Sequence, residues 1–333
     1  MLKLIVHHSP ILIQFLLSLK LNLSKPQFEH MVRMCDALIT TELRHKTVAG
    51  LYRMIVDAPD PSNGCDYLRI SPWQVDDTHE AVRQFTVAEI VAYAKESNDW
   101  TLYVSVDDSL GEKDKATHAL EAVDIHHDHT KSQGKKQVYT NGCSHVEVRL
   151  QVGGMAYVFD WRLYLREKRV RRLNRKRQSE KRLRFRKKTS LAHEILRELA
   201  QLLPEGFQVY VLFDSWYASN QLIKFCRGNG WHVICAIKSN RKLGEEKLSQ
   251  WNRTLKHQRY QRVFVTATDQ RQSSYLVRTV RGRLNKLSFD VCVLISKRRH
   301  RDTRPKYFLC TDPSLSAQKV LNIYQKRWPI EVD

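Results

Sequence analysis

Residues 102–109 read Leu-Tyr-Val-Ser-Val-Asp-Asp-Ser, and the change of pattern they mark decides the fold. Before Trp100 the apolar residues recur at helical spacing, as in Phe28, Met31, Val32 and Cys35. From Leu102 the residues favour a strand, and two carboxylates follow it. Two further strand-like stretches come at 145–152 and 155–165, the first alternating as Val146, Val148, Leu150 and Val152. Three strands in succession predict a meander.

Further along, 191–203 reads as a helix, 207–213 as an apolar strand, 218–228 as a helix ending in Gly228, and 231–237 as a second buried strand. The order βββ-α-β-α-β predicts an α/β fold, an RNase H-like mixed sheet flanked by helices. Between about 241 and 300 the runs 262–266, 274–280 and 287–295 alternate with Gly and Asn turns and show no helical period. They are read as an all-β insertion. Residues 306–310 return to a strand, and 316–327 form a helix opened by an N-cap at Ser316. The expected organisation is a small helical N-terminal domain, 1–97, and an RNase H-like catalytic domain, 98–333. Within the first, a turn at 44–46 between helices fits either a helix-turn-helix DNA reader or an ordinary small bundle.

The composition narrows the partner. Fifty-six Lys and Arg against 35 Asp and Glu leave a net charge of +21, the footprint of a protein that meets polyanions. Residues 166–188, REKRVRRLNRKRQSEKRLRFRKK, hold 14 of those bases against two Glu. Such density repels itself unless a polyanion neutralises it, so Arg171, Arg172, Arg175, Lys176 and Arg177 are expected to contact DNA phosphates. Seven scattered cysteines without a CxxC pair predict neither a disulfide framework nor a Cys-rich zinc site, and a reducing cytoplasm is the expected compartment. The apolar run 11–19 is far shorter than the roughly twenty residues of a membrane span, so a packed helix and no membrane are expected.

For chemistry, Asp107 and Asp214 each follow a strand, in VSVDDS and QVYVLFDSWY, where open α/β sheets place their active sites. Tyr324, Arg327 and Glu331 would fall within about 60° on one helix face, although Pro329 implies a kink or a fresh start near Trp328. His126, His127, Asp128 and His129 are metal-ligand types without a second cluster, and read as a solvated loop. No phosphate-binding loop, HExxH helix or GxSxG elbow is present.

With these residues assembled, the chain resembles the DDE transposases of bacterial insertion sequences. The likeness is carried by VDDS, the strand ending in DSWY, the line YFLCTDPSLSAQKVLNIYQKRWPIE, and the similar segments DWRLYLRE and FRKKTSLAHEIL. Tyr324, Arg327 and Glu331 match the first three letters of the cut-and-paste subgroup's signature Tyr-x2-Arg-x3-Glu-x6-Lys. The resemblance implies that Asp107, Asp214 and Glu331 hold two Mg²⁺ ions, with Mn²⁺ as a substitute, for in-line attack on a phosphodiester. It implies that Arg327 clamps a phosphate and Tyr324 positions the backbone, with Trp231, Trp251 and Trp328 as candidates to stack an unpaired base. The family spacing selects Asp107 over Asp108. The implied partners are double-stranded DNA, the terminal repeats of an insertion sequence, and a second copy in a homodimeric synapse. The signature's Lys would stand at 338, beyond Asp333, so a truncated transposase that binds DNA but cleaves it poorly is the expectation. A catalytically inactive DNA-binding relative and another RNase H-like nuclease are the competing readings.

Overall fold

The computed structural model describes residues 4–41, 46–71, 73–128, 131–132, 136–266 and 271–331. The chain divides into two compact units, Met1–Ala88 and Glu89–Asp333.

The first unit is helical. Helix α1 (Pro10–Ser18) is followed by α2 (Lys25–Thr40), α3 (Val48–Tyr52), α4 (Pro61–Arg69) and the start of α5 (Val75–Ser97). The apolar run at 11–19 forms α1, which buries Leu16 and ends beside buried Leu19, in one core with Met31, Val32, Met34, Tyr52 and Tyr67. No described helix is long and apolar enough to cross a membrane. Helix α2 starts where Gln27 reaches back to the Ser24 amide at 2.7 Å, a capping arrangement that satisfies an otherwise orphaned donor. Gly64 lets α4 lie against Tyr52, because a Cβ there would stand 2.6 Å from the phenol ring. The expected turn between α2 and α3 lies mostly outside the described residues. Helix α3 has five residues and buries Leu51 and Tyr52, so it offers little length to a DNA groove.

The second unit is built on a ten-stranded mixed sheet. Its first strands are β1 (Thr101–Glu112), β2 (Asp124–His127), β3 (Tyr139–Val152) and β4 (Met155–Tyr164). Helices α6 (Glu167–Asn174) and α7 (Lys188–Leu202) lead to β5 (Gln208–Phe213), α8 (Asn220–Gly228) and β6 (His232–Ile237). Strand β3 pairs antiparallel with β1, and β4 with β3, while β1–β5 and β5–β6 are parallel. This is the expected meander and parallel pair, an α/β arrangement consistent with an RNase H-like DDE fold. Leu102, Val104 and Val106 of β1 and Val146, Val148 and Leu150 of β3 are fully buried. Helix α7, whose Leu191, Ile195, Leu196 and Leu199 are buried, packs on β3 and β4.

The remaining elements are β7 (Lys242–Leu243), β8 (Glu246–Lys247), α9 (Leu248–Thr254), β9 (Gln261–Thr266), β10 (Gln272–Arg283), β11 (Asp290–Lys297), β12 (Lys306–Cys310) and α10 (Ala317–Gln325). Two expectations fail in this half of the unit. The segment 241–300 is not all-β: α9 and a 3-10 turn at Leu255–His257 lie within it, a short helix with too few apolar anchors for its period to show. Its long strands also continue the main sheet, since β11 pairs with β12 and β12 with β6. Nor do Tyr324, Arg327 and Glu331 share one helix. Helix α10, capped by the Ser316 side chain, stops at Gln325, and a 3-10 turn, Trp328–Glu331, follows. Pro329 accounts for the break, having no N–H to donate and disfavouring helical geometry in the residue before it.

Candidate active site

Strand β1 is longer than the apolar run suggests. Its pairing with β5 ends at Val106 opposite Phe213, whereas its pairing with β3 continues to Glu112. Asp107 and Asp214 are therefore the next residues on two adjacent parallel strands. Alternation along β1 sorts its side chains. Tyr103, Ser105 and Asp107 face the side where α10 packs with Tyr210, Leu212, Ile234, Phe308 and Tyr324. Val104, Val106 and Asp108 face the other side, that of α7.

The two neighbouring aspartates are thus held by different partners. Asp107 Oδ2 accepts from Arg327 Nη1 at 2.5 Å, and the arginine is only 5% exposed. Asp108 is bound by the Lys188 ammonium at the start of α7 and by the Tyr217 hydroxyl at 2.8 Å. Asp214 Oδ1 accepts from the amides of Trp216 and Tyr217, at 2.8 and 3.3 Å, in the turn after β5.

Burial lifts the Asp107 carboxyl to about 6 despite the Arg327 guanidinium, and the charges of Asp108 and Asp214 push in the same direction. Tyr217, fully buried, has its phenol raised far above the ordinary value by desolvation first and then by Asp108, with Asp107 and Asp214 contributing. A desolvated carboxylate with a second carboxylate beside it suits a hard divalent cation, which prefers carboxylate oxygens. Asp107 and Asp214 fit such an ion. The Glu331 carboxylate lies outside the described residues, and among the described residues no three His, Cys, Asp or Glu side chains are grouped to hold a metal.

The other expected site residues fall into buried and exposed sets. Tyr324 is buried in the core, edge-on to Phe308 at 4.9 Å, and its phenol is pushed up to about 12 chiefly by desolvation. Trp231 is buried, the Trp251 indole donates to the Leu243 carbonyl at 2.9 Å, and Trp328 is 45% exposed under the Arg327 guanidinium. In the basic segment, Arg171 pairs with Glu167 one turn away, while Arg172, Arg175 and Lys176 are exposed. Arg177 is instead committed to Glu121, with both oxygens at 2.7 Å, and Arg169 binds the carbonyls of Leu120 and Glu121. The segment is folded onto the 120–125 stretch and is not a free linker. His126 and His127 lie on β2 rather than in a loop, with His126 and Asp128 buried. His129 lies outside the described residues.

A family model described as DDE superfamily endonuclease matches residues 22–285, the greater part of the chain, with Asp107 and Asp214 inside the span. The chain belongs to the DDE superfamily of endonucleases. Comparison with curated proteins gives no match. For a DDE endonuclease, four residues near the acidic pair were not singled out from sequence: Lys188, Tyr217, Glu147 and Trp216. Lys188 is hidden among the bases of 166–188. Trp216 and Tyr217 come just after Asp214 and Ser215 in DSWY. Glu147, bonded to His145 at 3.1 Å, stands opposite Asp107 in the β1–β3 register. Trp216 is 58% exposed, with the Lys238 ammonium 5.6 Å from its ring.

Proposed function

We propose that this protein is a transposase of the cut-and-paste type that cleaves and joins double-stranded DNA at the ends of an insertion sequence. The observation that carries this reading is the placement of Asp107 beside Asp214 on paired strands, with the Asp107 carboxyl lifted by burial and by its acidic neighbours. Asp107, Asp214 and Glu331 are the proposed holders of Mg²⁺, with Mn²⁺ as a substitute. Held by these carboxylates, the metal would supply activation of a water or 3′-hydroxyl and charge stabilisation for the leaving oxygen of the phosphodiester.

The chain's own residues prepare that site. Arg327 neutralises Asp107 in the DNA-free protein, and a guanidinium at this place is suited to grip a phosphate once the carboxylate is engaged elsewhere. Lys188 and Tyr217 tie Asp108 to the opposite face, leaving Asp107 as the carboxylate beside Asp214. Exposed Arg171, Arg172, Arg175 and Lys176 supply phosphate contacts along the duplex. Two element ends must be brought together, which calls for a homodimeric synapse. The N-terminal helices, 1–97, form a separate domain in this reading.

The second reading, a DNA-binding relative without catalysis, is favoured by the short Arg327–Asp107 pair, which occupies an oxygen the metal would need. End-specific cleavage separates the two. A duplex carrying the matched terminal repeat should be cut with Mg²⁺ or Mn²⁺ and left intact with EDTA. Binding without cutting in either metal would select the second reading.

A further inference from the structure

A cavity of about 290 Å³ lies where the first turn of α7 meets the start of α8, lined by Arg184, Thr189, Ser190, His193, Arg197 and Gln221 among others. At about 30 Å³ per water, it has room for a tetrahedral anion with several waters. Its lining is strongly biased toward donors. The guanidinium groups of Arg184 and Arg197, the hydroxyls of Thr189 and Ser190 and the amide of Gln221 make no side-chain hydrogen bond among the described residues. The one carboxylate in the lining, Glu194, is already paired with Arg186 at 2.7 Å. Two cations and three neutral donors therefore line the cavity beside a single carboxylate that is already paired.

Residues at or beside the cavity lead back to the neighbourhood of the acidic pair. Lys188, the first residue of α7, holds Asp108, and Ser219, which caps α8 through the Leu222 amide, ends the turn that starts at Asp214. Arg184 and Arg197 are both exposed.

We infer that this cavity is a phosphate-binding site, gripping a backbone phosphate of the DNA that runs past Asp107 and Asp214, with Arg184 and Arg197 as the cationic contacts. The assignment of the phosphate to DNA rests on the function proposed above. Arginine forks and hydroxyl donors match phosphate oxygens, and a fixed phosphate near the reacting one would set the register of the strand.

His193 reports on the cavity from within. Its ring packs edge-on against Phe225 at 4.4 Å, and burial, followed by the Arg197 charge, holds its imidazole below the ordinary value. A phosphate seated beside Arg197 would raise it. The test is an NMR titration of the histidine side chains, with His193 assigned from H193Q, using inorganic phosphate at constant ionic strength and then a duplex with metal withheld. The His193 resonance should move saturably with phosphate and shift its titration upward. R184Q/R197Q should weaken that response at least tenfold while the other histidine signals show the fold intact. The duplex should reproduce the shift and block the effect of added phosphate. In the same variant, the salt dependence of duplex binding should fall by about 0.9 log units per decade of salt, as expected when one phosphate is no longer neutralised. No saturable shift, or an equal one in R184Q/R197Q, would overturn the site. A shift with phosphate but none with bound duplex would overturn the backbone assignment in favour of a free phosphate ligand. A duplex that does not bind at all would instead remove the DNA reading itself.

Discussion

Replacing Asp107 with Asn should stabilise the metal-free protein at neutral pH, although it removes a partner from a buried arginine. The carboxyl is lifted to about 6 against an ordinary 3.8, and this includes the opposing pull of Arg327. At 1.36 kcal/mol per tenfold change in proton affinity, the ionised form is disfavoured by about 3 kcal/mol. Because the folded state binds the proton more tightly than the unfolded state, stability is full below about 3.8. It falls as pH rises toward about 6 and is flat above that. Asn is locked in the neutral form and escapes the loss. Denaturant unfolding in EDTA should show the two proteins alike near pH 4, with D107N ahead by about 3 kcal/mol at pH 7.5. Mg²⁺ should close the gap by stabilising only the wild type. If D107N were instead less stable at pH 7.5, the Arg327 pair would outweigh desolvation, and the case for a cation-seeking carboxylate would fail.

Four further outcomes follow from the same geometry. Tyr217→Phe removes a buried hydrogen bond to a carboxylate and should cost about 1.5–3 kcal/mol; a loss under 0.5 kcal/mol on denaturation would show that Lys188 alone holds Asp108. Changing Arg171, Arg172, Arg175 and Lys176 together to Gln should lower the salt dependence of DNA binding, by about 0.9 log units per decade for each phosphate no longer neutralised. Arg177→Gln should leave that dependence unchanged, because this guanidinium is spent on Glu121, and a drop as large as from one of the exposed four would refute the pairing. Leu196→Ala in α7 should cost about 2–5 kcal/mol as a core cavity, read in the same unfolding experiment.

The β-strand alternation of 146–152 and the apolar run before Asp214 were legible because each element buries a complete face. Their pairing then followed from the order of elements. Asp214 was legible for the same reason, since β5 ends with its apolar run; Asp107 lies within β1, just past the end of the apolar run that made it legible. The continuation of β1 to Glu112 was not, because it depends on β3 as partner and not on its own side chains. Helix α9 was hidden by having Leu248 and Trp251 as its main apolar residues. The tail was legible only in part. Ser316 announced its cap, but the stop at Gln325 depends on what Pro329 does to the turn before it. In the basic segment, charge counting could not separate Arg177, tied to Glu121 from 56 residues away, from Arg175 two positions earlier. Lys188 and Tyr217 carried no local mark, since what they do is set by Asp108 across the sheet.

If Asp107 and Asp214 form one cation site, binding of Mn²⁺ measured by electron paramagnetic resonance will show it without any need for a DNA substrate. Wild type should bind Mn²⁺ in competition with Mg²⁺, and D107N and D214N should each weaken it at least tenfold, the scale on which even outer partners of a metal site act. Wild-type affinity in D214N would mean that the two aspartates do not share an ion.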